Sequence, residues 1–189
     1  MSSHTAQPRH GKVCRANPES AGGFAENHLL VAGLGNELLM DDGVGVHAVR
    51  LLQQDARFSS DPNLVIVEVG VAVLDALHLF AWADHILAID AMKAGHAPGS
   101  MYQVRDTDVA QDDLASGLHQ LSVIGALRML PGHRAPGACG MPRMTVLGVE
   151  PERIDYGMEL SPTVASVLPR LVEETRRVIQ ELRTNVVHT

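Results

Sequence analysis

The sequence has few cysteines and no long uninterrupted apolar run. Its only cysteines, Cys14 and Cys139, form no CxxC pair, so we expect neither a disulfide framework nor a zinc knuckle, and a reducing compartment fits best. The most apolar region, residues 64–92, is interrupted by four acidic residues and is excluded as a membrane span. Because no export signal precedes the first apolar run, the cytoplasm is the expected location.

Basic residues are also scarce relative to acidic ones. Fifteen Lys and Arg against twenty-two Asp and Glu give a net charge of −7, which argues against a surface built for nucleic acid or anionic lipid. A length of 189 residues with 20% charged residues is typical of one globular domain. We therefore expect one domain whose partners are neither nucleic acid nor anionic lipid.

Apolar patterning begins only after residue 27. Residues 1–27 mix polar, Gly and Pro residues without periodicity, which predicts a flexible tail, and residues 28–189 are predicted to form a single α/β domain. Short apolar runs alternate there with amphipathic segments, which predicts a three-layer α/β/α fold with a mostly parallel, twisted sheet. Predicted strands are 29–32, 64–67, 85–89 and 144–149, with 101–105 as a further candidate. Predicted helices are 44–54, 73–83, 121–130 and a long terminal helix that begins after Ser161-Pro162 and reaches residue 182.

Three polar positions stand near the carboxyl ends of these apolar runs, where ligands collect in doubly wound α/β proteins. They are Asp42, Asp90 and His119. Each has an ordinary structural alternative: Asp42 as part of a turn and helix cap, Asp90 as a hydrogen-bonded strand-end residue, and His119 as a solvated histidine. A dinucleotide or phosphate loop is disfavoured, because Leu38 stands where a third glycine would be needed.

Two carboxylates and an imidazole on successive loops have the composition of a metal site. Mixed oxygen and nitrogen donors suit nickel, zinc or cobalt, and three protein ligands leave coordination positions open for substrate or water. The chain has no HExxH motif, no GxSxG elbow and no setting for a catalytic cysteine.

Four motifs in order make the chain resemble the nickel-dependent [NiFe] hydrogenase maturation endopeptidases from Leu30 to about Leu182. The first, G-x-G-N-x-x-x-x-D-[DE]-x-x-G, is matched from Gly33 to Gly45. The others are D-A…P-G at Asp90-Ala91 and Pro98-Gly99, H-Q at His119-Gln120, and G-x-x-P…G-x-x-L-[ST]-P from Gly148 to Pro162.

The resemblance implies a specific activity and a specific set of site residues. Asp42, Asp90 and His119 would contact the metal and carry catalysis. The enzyme would remove the C-terminal extension of the nickel-loaded large-subunit precursor of a [NiFe] hydrogenase, with nickel supplied by that precursor. The water could be activated by Asp42, by Asp90 or by the metal, and the sequence does not choose.

Departures from the family pattern leave other functions open. Val71 stands where relatives more often carry Thr, and the first ligand is Asp42 where some carry Glu. A non-catalytic chaperone of the immature subunit is the main alternative, and a generic metallopeptidase acting on small peptides is a third. His47, Arg50 and His96 are candidate rim residues, and the Pro- and Gly-rich stretch 131–142 is predicted to be a surface loop.

Overall fold

The computed structural model describes residues 27–105 and 141–184. Its strands are β1 (Leu29–Leu34), β2 (Leu64–Gly70), β3 (His85–Ala91), β4 (Met101–Arg105) and β5 (Arg143–Val149), and its helices are α1 (Val44–Gln53), α2 (Leu77–Trp82) and α3 (Pro162–Thr184). A short 3₁₀ helix, Met40–Gly43, precedes α1. The predicted helix 121–130, nearly all of the predicted tail, both cysteines and most of the stretch 131–142 lie outside the described residues.

The five strands form one mixed sheet in the order β2-β1-β3-β5-β4. The pairs β1–β2, β1–β3 and β3–β5 are parallel, whereas β4 pairs antiparallel with β5. All five predicted strands are therefore present, and the prediction of a mostly parallel sheet is confirmed. Because β1 and β3 are neighbours running in the same direction, the loops that follow them leave the same edge of the sheet.

Apolar side chains of the strands alternate between two cores, one on each face of the sheet. Leu29 and Val31 of β1 pack in the core formed with α1 and α3. Leu30 and Ala32 pack in the opposite core, which contains Phe80 of α2. This burial of both faces explains why the strands are continuous apolar runs, and it confirms the three-layer arrangement.

The second predicted helix is shorter than its periodicity indicated. It begins at Leu77 rather than at residue 73, because the preceding chain forms successive turns, with bonds from Ala72 N to Val69 O (3.0 Å) and from Asp75 N to Ala72 O (3.0 Å). Val73 is buried although it lies in a turn. The apolar spacing thus indicated correctly that Val73 is buried, but the predicted helical conformation of residues 73–76 is wrong.

The terminal helix α3 begins where its capping signal predicts. Ser161 Oγ accepts a hydrogen bond from Val164 N (3.3 Å), and Pro162 occupies the first helical position, where it needs no N–H partner. Leu171 and Val178 are buried against the sheet, which confirms that the apolar stripe of α3 belongs to the core. No helix in the described ranges is long and apolar enough to cross a membrane.

Candidate active site

Gly35 brings two of the predicted site residues together at the carboxyl edge of the sheet. It follows β1 directly and has a φ of +101°, which an L side chain rarely adopts. A Cβ placed on Gly35 would overlap the carbonyl oxygen of Asp42 and would lie 3.6 Å from Asp90 Oδ1. The backbone of Asp42 and the carboxylate of Asp90 therefore both lie next to Gly35.

Asp42 is held by the loop that leaves β1. It lies in the short 3₁₀ helix, is only 6% exposed, and its Oδ2 accepts a hydrogen bond from Asn36 N at 2.8 Å. Asn36 Oδ1 in turn accepts a bond from Leu38 N at 3.0 Å, which fixes the turn. The carboxylate of Asp42 thus caps a loop N–H rather than its own helix, and α1 has no side-chain N-cap.

Asp90 lies within β3, one residue before its end, rather than beyond the strand. It is 1% exposed, its Oδ1 accepts a hydrogen bond from Ala91 N at 2.9 Å, and it pairs in register with Gly148 of β5. A carboxylate this deeply buried is costly unless polar or cationic groups compensate its charge. The burial of Asp90 at this edge of the sheet is compatible with its predicted role as a metal ligand.

His119 lies outside the described residues, so its position relative to the two carboxylates stays a prediction. Within residues 27–105 and 141–184, no group of three His, Cys, Asp or Glu side chains is placed to hold a metal ion. Asp42 and Asp90 supply two of the three predicted donors, and the imidazole would have to come from the undescribed segment.

An open groove of about 320 Å³ lies beside the loop whose Asn36 N–H binds Asp42. Its walls come from the loop after β1 and from the end of β2, and Val46 of α1 also lines it. Leu38 and Val71 are 56% and 60% exposed, so the groove offers apolar contacts to a partner. Asn36, whose N–H binds Asp42, lines the same groove and makes it continuous with the candidate site.

One of the predicted rim residues, Arg50, bridges two acidic residues of this groove. Its guanidinium contacts Glu37 at 2.7 Å and Glu68 at 2.8 Å. Hydrogen bonds to Glu68 and then Glu37 raise the pKa of Arg50 further above its already high ordinary value. The arginine therefore ties α1 to both walls of the groove and offsets part of their negative charge.

The other two rim candidates differ in surroundings. His47 of α1 is half-buried, and its Nε2 has no hydrogen-bond partner within the described ranges. His96 lies after β3, where its ring packs edge-on against Tyr102 with the ring centroids 5.5 Å apart. These surroundings assign no chemical role to either histidine.

Two buried carboxylates near the site were not singled out from the sequence. Asp41 was interpreted only as part of a turn and cap with Asp42, although it is the more deeply buried of the two. Glu150 was quoted in a motif but given no role, although it directly follows the apolar run of β5 and is 6% exposed. The criterion that selected Asp90, a carboxylate at the end of a buried strand, would also have selected Glu150.

Comparisons with known proteins agree on one family. The model of the hydrogenase maturation protease family matches residues 46–178. The hydrogenase 2 maturation protease of Escherichia coli K12 is 32% identical over 155 residues, covering 81% of this chain and 91% of that protein.

Solved structures give the same result. The hydrogenase maturating endopeptidase HybD from E. coli superposes with a TM-score of 0.69 at 29% identity, covering 82% of this chain and 93% of that one. The [NiFe] hydrogenase maturation protease HybD from Thermococcus kodakarensis gives a TM-score of 0.65 at 25% identity, covering 80% and 98%. Together with the match over residues 46–178, these similarities show that the chain is an endopeptidase of the hydrogenase maturation protease family.

Proposed function

We propose that the chain removes the C-terminal extension from the nickel-loaded large-subunit precursor of a [NiFe] hydrogenase, in the cytoplasm. Family membership supports the reaction class, and the match that covers 91% of the E. coli relative supports the substrate class. The observation that carries the assignment of the site is that the backbone of Asp42 and the carboxylate of Asp90 both lie next to Gly35, at the carboxyl edge of the sheet.

Nickel in this proposal is part of the substrate, and Asp42, Asp90 and His119 contact it. The donor chemistry supports this assignment, because carboxylate and imidazole groups suit a borderline divalent ion and leave positions for ligands from the precursor. The low exposure of Asp42 and Asp90, 6% and 1%, also supports the assignment, because a cation held between them would be shielded from bulk water and would interact with them more strongly than at an exposed site. Nickel recognition would then restrict cleavage to precursors that already carry the metal.

The groove beside Asp42 is the proposed seat of the precursor segment that contains the scissile bond. An extended segment of a few residues fits an open channel whose walls are the 36–38 loop and the end of β2. Leu38 and Val71 offer apolar contacts to its side chains, while Asn36, which lines the groove, donates its N–H to the carboxylate of Asp42. A precursor segment in the groove would therefore lie next to the loop that holds Asp42.

Three routes for activating the attacking water remain compatible with the proposal. Asp42 could accept the proton, Asp90 could accept it, or the substrate's nickel could acidify the water. Asp→Asn variants keep the size of each side chain but remove a base. A variant that still binds the nickel-loaded precursor but no longer cleaves it would identify the proton acceptor.

Mass spectrometry of the precursor tests the function directly. The purified chain is incubated with nickel-loaded precursor, nickel-free precursor and a synthetic peptide that spans the cleavage region. We expect loss of the C-terminal extension only from the nickel-loaded protein. Cleavage of the peptide without nickel would instead indicate a generic metallopeptidase, and an unchanged precursor mass would indicate a chaperone.

The chaperone alternative is tied to Val71, which stands where relatives more often carry Thr. Val71 is exposed in the groove, so Val71→Thr should fold normally and introduce the hydroxyl next to the proposed substrate segment. Because the native chain belongs to a family of endopeptidases, we expect its cleavage rate to change little with this substitution. Cleavage that appears only in Val71→Thr would support the chaperone for the native chain.

A further inference from the structure

We infer that the segment that follows β5, residues 150–153, fixes the distance between Asp42 and Asp90. Two positioning residues make the hydrogen bonds that do this: Glu150, which belongs to the segment, and Asp41, which binds to it. The inference rests on the proposed function, because it concerns the two carboxylates of that site. Glu150 and Asp41 do not line the groove and are not among the proposed ligands. Their carboxylates accept hydrogen bonds from groups within the protein.

Glu150 fastens the loop that follows Asp90. Its Oε2 accepts hydrogen bonds from Ala94 N (2.8 Å), His96 N (3.4 Å) and the Tyr102 hydroxyl (2.6 Å), and its Oε1 accepts one from Gly95 N (3.3 Å). Three consecutive backbone N–H groups therefore turn inward onto one buried carboxylate. Charged acceptors of this kind bind N–H donors more strongly than neutral acceptors do, so these hydrogen bonds hold the loop in one conformation.

The backbone on either side reinforces this attachment. Met92 N donates to Val149 O (2.9 Å), Glu150 N donates to Ser100 O (2.8 Å), and Gly99 N donates to Glu150 O (2.8 Å). The chain after Asp90 consequently folds back over the end of β5 instead of continuing away from the sheet. Its exit direction, which bears on the orientation of the Asp90 side chain, depends on Glu150.

Asp41 makes the corresponding attachment for Asp42. Its Oδ2 accepts hydrogen bonds from Glu152 N (2.9 Å) and Arg153 N (2.7 Å), and its Oδ1 accepts one from Ser161 N (2.7 Å). Asp41 is fully buried and directly precedes Asp42 in the 3₁₀ helix. The 3₁₀ helix is thereby tied to the segment that leaves β5 and to the start of α3.

The two sets of hydrogen bonds, those of Glu150 and those of Asp41, both involve the four residues 150–153. Glu150 supplies a carboxylate to one loop, and the N–H groups of residues 152 and 153 bind the carboxylate from the other, with Pro151 between them. Proline fixes its own φ, which limits how far the two anchor points can move apart. A site that must hold one ion between Asp42 and Asp90 needs such a fixed spacing, because displacements of about 1 Å can lower a rate about 100-fold.

The substitution Glu150→Gln tests this positioning role. Glu159→Gln on the same loop is the matched control, since Glu159 is exposed. Glutamine keeps one acceptor oxygen but turns an NH₂ group toward the N–H donors of residues 94–96. We expect kcat for precursor processing to fall about 10- to 100-fold with KM changed less than about 3-fold, whereas the control is unaffected. Amide hydrogen exchange should accelerate at residues 94–96, and the carboxyl ¹³C resonance of Asp90 should shift.

A purely structural role for Glu150 would have a different signature. The melting temperature would fall, while kcat per folded molecule and the Asp90 resonance stayed as in the control, and that result would overturn the inference. Unchanged exchange at residues 94–96 would overturn it as well. Tyr102→Phe removes only one of the four donors and should give a smaller change of the same kind.

The resonance and exchange measurements need no substrate, so they separate this inference from the proposed function. If the native chain leaves the precursor intact, the function fails, yet the Asp90 resonance still decides whether Glu150 sets its position. Asp41→Asn gives the second arm, in which the Asp42 resonance should shift instead. If Asp41→Asn does not fold, the Glu150 arm alone decides.

Discussion

At the scale of single residues, Gly35 is the position where substitution should be least tolerated. Gly35→Ala adds a Cβ that overlaps the carbonyl oxygen of Asp42, in addition to the cost of about 1–2 kcal/mol for a left-handed non-glycine residue. Gly95→Ala is the matched control, because its φ is +81° but its Cβ would meet nothing within 4 Å. Chemical denaturation should show a larger loss of unfolding free energy for Gly35→Ala, and equal losses would contradict the close approach.

The same scale yields a pH prediction for Glu150. Hydrogen bonds from Tyr102 and from backbone N–H groups outweigh the opposing effect of burial and lower the pKa of Glu150, while burial and the bond to Glu150 raise the pKa of Tyr102 to about 12. Because the folded pKa of Glu150 lies below the unfolded one, its stabilisation is present above the unfolded value and is lost as pH falls through the folded value.

Melting temperatures measured across the acid range check that sign. Glu150→Gln should be less stable than the native chain at neutral pH, and the gap should close as the native carboxylate becomes protonated. A gap that stays constant down to acid pH would show that the charge of Glu150 does not contribute to stability.

At the residue level, one strong rule allows the sequence to single out candidate positions, whose roles stay predictions. A carboxylate within or just after a buried apolar run stands out, which is how Asp90 was found and how Glu150 could have been. Asp41 is different, because its role depends on N–H groups of residues 152, 153 and 161, more than a hundred positions away. No local pattern identifies such partners, since the tertiary fold alone brings them together.

At the scale of elements, the start of α3 provides a test of local sequence rules. Ser161→Ala removes the hydroxyl that accepts a bond from Val164 N and that also hydrogen-bonds the Glu152 side chain, whose pKa is lowered by bonds to Thr163 and Ser161. We expect a loss of about 0.5–2 kcal/mol in unfolding free energy. Ser166→Ala is the control, because Ser166 is exposed and its hydroxyl only donates to Thr163 O within the helix. Equal effects of the two substitutions would argue against capping by Ser161.

Apolar patterning predicted the strands correctly, but it wrongly predicted a helix where the chain forms turns. The five strands were identified because a sheet covered on both faces needs continuous apolar runs. The segment before Leu77 was wrongly predicted as helical, because Val73 and Ala76 are buried from a series of turns with helix-like spacing. Spacing records which side chains are buried, and several backbone conformations satisfy it.

At the scale of the whole molecule, the proposed function predicts an asymmetric footprint of the precursor. The groove and both site carboxylates lie at the carboxyl edge of the sheet, whereas the start of β5 lies at the opposite edge. Amide hydrogen exchange in the complex should slow at residues 36–38 and 70–71 and remain unchanged at Met141 and Arg143. Protection at Met141 and Arg143 alone would place the precursor on the wrong edge.

The most direct test combines the three site residues with the precursor itself. Native chain, Asp42→Asn, Asp90→Asn and His119→Ala are incubated with nickel-loaded precursor, and mass spectrometry follows the loss of its C-terminal extension. The proposed site predicts processing by the native chain and its loss in each folded variant, as checked by circular dichroism. Processing at the native rate by all three variants would contradict the site.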